Sequence, residues 1–143
     1  MVLGEKSIPL LTTGHEKANI TVILAASADG KKKRPFIVLK GKGQAKDIQE
    51  LKKRRDIHIG LSSTGWTNDD VIEDWLNCNF GDTSFHKRLL IWDSFRAHLS
   101  DATKKILKRK RMDQAIIPGG CTSILQAPDV VWNKPFKVST NSR

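Results

Sequence analysis

Cysteine is scarce. Cys78 and Cys121 are the two present in 143 residues, far apart and without CxxC or Cys/His spacing. Neither a disulfide scaffold nor a zinc module is therefore expected, and a reducing cytosolic or nuclear setting fits best, with both thiols as small buried fillers. Long apolar runs are also missing: none approaches the roughly 20 residues that cross a bilayer, so an integral membrane protein is excluded. The opening MVLGEKSIPLLTTG lacks a basic stretch followed by a long apolar core, and no secretory leader is expected. No internal repeat is visible, and no low-complexity tract beyond short lysine runs. Acids are in deficit, with 15 Asp plus Glu against 25 Lys plus Arg, a formal charge of +10 and a pI near 9.9. Such an excess favours polyanionic partners, because each neutralised phosphate releases condensed counterions. Nucleic acid is the first candidate and an anionic membrane surface the second.

What is present reads as one mixed α/β domain of 16.0 kDa. Residues 19–28, NITVILAASA, are apolar on both alternating faces, as in a strand covered on two sides. Asp29-Gly30 is a turn signal and PFIVL at 35–39 a second strand, so the pair predicts a hairpin with a basic loop. Residues 57–61 alternate Ile57, Ile59, Leu61 with polar neighbours, as in a strand near an edge. The polar stretch 41–56 reads as a loop with one helical turn. Thr67 is the expected N-cap of a helix whose buried face is Val71, Ile72, Trp75 and Leu76. RLLIW at 88–92 suits a fully buried parallel strand. Ser100 can cap a helix turning Ala102, Ile106 and Leu107 inward, and QAIIP at 114–118 is a third buried strand. Strand, helix and strand in that order imply a parallel crossover.

Two carboxylates stand out. Asp93 ends the apolar run LLIW, and the carboxyl ends of strands in open α/β sheets are where ligands bind; a turn aspartate bonding its own backbone is the plainer reading. Asp129 follows Pro128 in LQAPDVVW, which is equally an ordinary helix opening. Together, acids placed on either side of a strand–helix–strand unit can converge on one point. Mg²⁺ or Mn²⁺ would find hard oxygen ligands there while keeping positions for water and phosphate oxygens.

The segments GHEKANITVILAASADG, LLIWDSFRAH and IPGGCTSILQAPDVVWNKPFK, in this order, resemble the catalytic domain of pogo-type transposases. That family includes the Tigger and Jerky elements and centromere protein B, and within it the chain looks most like pogo-derived host proteins. The resemblance implies an RNase H-like mixed sheet flanked by helices, with a DDE/DDD triad that binds two divalent metals and cuts and joins DNA. By motif, Asp93 corresponds to the second acid and Asp129 to the third. The family's first acid lies on a strand upstream of GHEK, so residues 1–143 are expected to form a partial domain lacking that central strand. Ser-Phe-Arg-Ala-His stands after Asp93 where active elements have Asn-x-Pro-Ala-His, and Ala127-Pro128 replaces Pro-Leu; both differences point toward host-domesticated relatives.

A triad without its first acid implies lost two-metal catalysis, since Mg²⁺ dehydrates too reluctantly for two carboxylates to hold two ions. A sheet without its central strand implies two open edges and poor stability. The remaining activity expected is sequence-nonspecific binding of DNA phosphates, in the nucleus, through three clusters: Lys31, Lys32, Lys33 and Arg34; Lys52, Lys53, Arg54 and Arg55; Lys108, Arg109, Lys110 and Arg111. Solvated loops and a charged helix end account for the same clusters without any ligand. His98 reads as a surface or helix-entry histidine, or as one orienting a phosphate near the metal. His15 and Glu16 read as turn residues. Trp66, Trp75, Trp92 and Trp132 are expected in the core, with Trp132 beside Lys134 and Lys137 as the one candidate for base stacking. Two rivals stand beside this reading. One is a live nuclease whose triad is completed by Glu16 or Asp29; the other is a non-catalytic module that recruits chromatin proteins.

Overall fold

The computed structural model describes residues 2–11, 17–41, 46–81 and 85–121. Six strands form one mixed sheet: β1 (Val2–Leu11), β2 (Lys17–Ala26), β3 (Phe36–Lys40), β4 (His58–Ser62), β5 (Arg88–Asp93) and β6 (Met112–Ile117), in spatial order β4-β3-β2-β1-β5-β6. Four helices complete it: α1 (Lys46–Lys52), α2 (Asp69–Asn79), α3 (Arg96–Leu99) and α4 (Asp101–Arg109). The mixed α/β architecture is consistent with the RNase H-like fold. β2 is the one antiparallel member; it pairs with both β1 and β3, while β3–β4, β1–β5 and β5–β6 are parallel. The predicted hairpin is therefore β2–β3, the edge strand of residues 57–61 is β4, and the predicted parallel crossover joins β5 to β6.

Period-two alternation decides which side chains enter the core. Ile23 and Ala25, Phe36 and Val38, and Leu90 and Trp92 are all buried together against Val71, Ile72, Trp75 and Leu76 of α2. β2 is also buried at Val22 and Ala26, as its two-sided apolar pattern predicts. β5 differs from expectation: it alternates instead of being buried throughout, and Leu89 is 50% exposed. β6 begins at Met112, not Gln114, and as an edge strand buries Met112 and Ile117 while Asp113 and Ala115 face outward. Residues 41–56 hold the two-turn helix α1 where one turn is expected.

The helix ends carry two corrections. Asn68, not Thr67, caps α2: its carboxamide accepts from the Val71 N–H at 3.0 Å, and Thr67 is buried. Ser100 caps α4 as expected, accepting from the Thr103 N–H at 3.1 Å. The inward face is Thr103, Ile106 and Leu107, however, and Ala102 is exposed. Thr103 tolerates full burial because its hydroxyl donates to the Ala97 carbonyl at 2.7 Å. Of the tryptophans, Trp75 and Trp92 are core residues, Trp66 is 52% exposed, and Trp132 lies outside the described residues. Cys78 is exposed and Cys121 half-buried, so neither is a buried filler.

Val2–Leu11 occupies the position between β2 and β5, in register with β2 from Val2↔Ala26 to Leu11↔Lys17. Its ladder to β5 is a single residue pair, Val2↔Ile91. The strand contains Glu5 and no aspartate.

Gly60 allows β4 to lie beside the Phe36 ring, since a Cβ there would clash with Phe36 Cε1 and Cζ. The ring is fully buried and cannot yield cheaply. Gly60→Ala is expected to destabilise the fold by about 1–3 kcal/mol, read as a lowered urea midpoint. Adding Phe36→Leu should recover part of that loss, and additive losses in the double variant would refute the contact.

Candidate functional site

Asp93 stands at the carboxyl end of β5, where the chain leaves the sheet for α3. Its Oδ1 accepts from the Phe95 N–H at 3.1 Å and lies 2.9 Å from His98 Nδ1, which is also 3.2 Å from the Asp93 carbonyl. Oδ2 takes part in none of these contacts. The side chain is 25% exposed. Burial pushes the carboxyl up, but the His98 hydrogen bond and charge and the Phe95 N–H outweigh it, leaving its pKa below the ordinary carboxylate value.

His98 stands at a helix entry, in α3, as one of its readings had it, but not at the surface. It is fully buried, its ring lies on Trp92 at 4.1 Å between centroids and 4° between planes, and Phe95 meets it edge-on at 5.4 Å. Its Nε2 is buried with no hydrogen-bond partner among the described residues. The one sequence signal for this arrangement is the five-residue spacing, which lets a side chain from the first turn of α3 reach back to the strand end.

Of the other proposed acids, only Asp29 falls among the described residues, and it lies away from Asp93. Asp129 and Glu16 lie outside the described residues. Asp29 sits in the β2–β3 turn, held below the normal carboxylate range by hydrogen bonds from Lys31 and Ser27. Among the described residues, no group of three or more His, Cys, Asp or Glu is placed to hold a metal ion.

The basic clusters sort differently from their sequence pattern. Residues 31–34 and 52–55 come together at neighbouring strand starts, because Phe36 pairs with His58. Burial first and the Arg34 charge second depress the His58 pKa. Lys31 pairs with Asp29, and Arg54 donates from Nε to Asp56 at 2.9 Å, so both are partly neutralised. Lys32, Arg34, Lys52, Lys53 and Arg55 are exposed, and Lys33 is half-buried. The third cluster lies at the start of β6. There Lys110 is 1% exposed with Nζ donating to the Phe80 carbonyl at 3.1 Å, which removes it from any surface role. Arg109 pairs with Glu73 at 2.8 Å, while Lys108 and Arg111 remain exposed.

Beyond Asp93 a groove of about 900 Å³ opens between the starts of α2 and α4, lined by Asp69, Asp70 and Asp101 against Arg96, with Phe95 and Leu99 partly exposed. Its net negative charge repels a phosphate backbone.

Because the folded carboxyl of Asp93 titrates below its unfolded value, it contributes stability that is fully present above the ordinary value of 3.8 and is lost as pH falls through the folded value. The urea midpoint of the protein should therefore fall more steeply than that of Asp93→Asn between about pH 5 and about pH 2. Parallel profiles would show that Asp93 has no such partners.

Residues 17–141 match the DDE superfamily endonuclease family. The mouse protein named "Pogo transposable element with KRAB domain" is 36% identical over 144 residues, covering 98% of this chain and 23% of that protein. Its human counterpart is 35% identical over the same share of each. A Cochliobolus lunatus protein named "MFS-type transporter clz9" is 25% identical over 152 residues, 95% of this chain and 16% of that protein. Among the described residues no helix is long and apolar enough to cross a membrane. No solved structure matches. The chain thus spans about a quarter of the length of the pogo-derived relatives, and the match covers the motifs around both Asp93 and Asp129. It belongs to the DDE superfamily endonucleases, as a pogo-type domain.

Proposed function

We propose that this domain binds nucleic acid through its phosphates, without sequence preference and in the nucleus, and that it does not carry efficient two-metal catalysis on its own carboxylates. The observation behind the binding reading is the pairing of two cation clusters at the starts of β3 and β4. Arg34, Lys52, Lys53 and Arg55 are exposed there in excess of the two acids, Asp29 and Asp56, that neutralise their neighbours. Phosphate contacts of this kind position a duplex and carry no base readout.

Asp93 fits a divalent cation as one hard oxygen ligand. Oδ1 is anchored by His98 and Phe95, which fixes the carboxylate and leaves Oδ2 for Mg²⁺ or Mn²⁺; Asp129 is the second ligand that the family motif supplies. A bound cation would polarise a phosphate oxygen. With one carboxylate oxygen offered by Asp93, the domain would hold at most one such ion, and loosely. His98 fixes the carboxylate through Oδ1 from inside the core.

Affinity for a 20-base-pair duplex should fall linearly on a log–log plot against salt. Substituting Lys53 and Arg55 with Ala should weaken binding and reduce the slope by about 0.9 per contact removed. An unchanged slope would discard the cluster. Supercoiled plasmid should stay intact with Mg²⁺ or Mn²⁺; nicking that Asp93→Asn abolishes would establish an active endonuclease instead.

A further inference from the structure

A second cavity, of about 370 Å³, opens where the chain enters β5 and β6, lined by Phe85, Lys87, Lys108, Arg111, Met112 and Asp113. Its size lies within the range of about 300–1,000 Å³ usual for ligand pockets. Arg88 pairs with Met112 and Asp93 with Ile117, so this cavity lies at the opposite end of β5 from Asp93, roughly 16–20 Å away at about 3.3 Å per residue. Phe85 is 99% exposed, further than the other exposed large apolar side chains among the described residues, of which Trp66 comes next at 52%. Lys87, Lys108 and Arg111 face one acid, Asp113, and none of the three is ion-paired with another described residue, in contrast to Lys31, Arg54 and Arg109. The buried Met112 gives the cavity an apolar floor.

Arg111 adds an independent observation. It follows the C-cap of α4 with φ at 53°, the only positive φ of a non-glycine residue in the described backbone. Glycine takes this position after a helix without penalty, and arginine does not. The strained backbone holds a guanidinium at the cavity mouth, where a structural role alone would favour glycine.

We propose that this cavity binds single-stranded nucleic acid, with one unpaired base lying on the Phe85 ring and the flanking phosphates on Lys87, Lys108 and Arg111. The proposal rests on the nucleic-acid reading above and adds the strand class and the place. Aromatic rings take any base by its flat face, and a duplex keeps its bases stacked inside, so the ring selects strands with unpaired bases. The cations alone would take either form.

The test compares fluorescently labelled ten-nucleotide oligo-dT with a duplex of the same length, by anisotropy with the full chain. Phe85→Leu keeps an apolar side chain and removes the π-face; since Phe85 is almost wholly exposed, its thermal melt should match the unaltered protein. Oligo-dT affinity should drop about tenfold or more in Phe85→Leu, with duplex affinity unchanged. Arg111→Gly, which relaxes the backbone, should raise thermal stability while lowering oligo-dT affinity. Equal affinity of the Phe85→Leu variant and the unaltered protein for oligo-dT would overturn the proposal even if duplex binding persists. Absence of binding to both probes would overturn this inference and the nucleic-acid reading together.

Discussion

The contact on which the candidate site depends is the stack of His98 on Trp92. Trp92 is buried by the alternation of β5, and its indole N–H donates to Gln114 Oε1 at 3.1 Å, tying it to β6. His98 lies parallel to it, and the same imidazole reaches Asp93. The carboxylate is therefore fixed by a group that cannot move without opening the core. The arrangement has a cost, since His98 Nε2 is buried without a partner among the described residues, a loss on the order of 1–3 kcal/mol. Leucine or phenylalanine would fill the same volume without the orphaned nitrogen, but neither could hold the Asp93 carboxylate.

Charge is distributed along the helices in the sense their dipoles favour. Asp69 and Asp70 open α2 and Asp101 opens α4, while Lys52 closes α1 and Lys108 and Arg109 close α4. Each such placement is worth about 0.3–1 kcal/mol, so part of the basic pattern has an explanation internal to the fold. Lys32, Arg34, Arg55 and Lys87 have no helix end to complement, and Arg111 works against its own backbone. Subtracting what folding explains leaves two groups of cations, one at the starts of β3 and β4 and one beside Phe85. Both precede strands, whereas Asp93 follows one.

The strands and helices that bury apolar side chains were legible in the sequence because their periodicity records the burial directly. Val71, Ile72, Trp75 and Leu76 fall on one helical face and are all buried in the structure. Positions set by a single hydrogen bond were less legible: Asn68 and Thr67 are both competent caps by residue type, and the bond from the Val71 N–H that distinguishes Asn68 leaves no mark in the sequence pattern. Ala102 and Thr103 differ by one position on α4, and the carbonyl of Ala97 that satisfies the threonine hydroxyl is invisible in composition. Lys110 is the same case at the surface. Its neighbours make it look solvated, yet a free carbonyl at the end of α2 draws the amine inward. Asp93 was legible by motif and strand-end position. The burial of His98 was not, because it depends on a ring four ångströms away on another element.

The sheet itself divides at the seam between β1 and β5, where the ladder is one residue pair, against ten pairs between β1 and β2 and six between β5 and β6. Backbone hydrogen bonding cannot hold the two parts in register across so short a contact. The apolar cluster does: Ile23, Phe36 and Val38 on one side of the seam and Leu90 and Trp92 on the other belong to one continuous core completed by α2 and α4. α2 touches β4, α3 and α4, so it spans from the β4 edge toward the β6 side. Hydrophobic burial is non-directional and tolerates the imperfect seam, where a ladder would not. The position of Asp93 relative to the cations at β3 and β4 is consequently set by side-chain packing, with Trp92 serving both the core and the site.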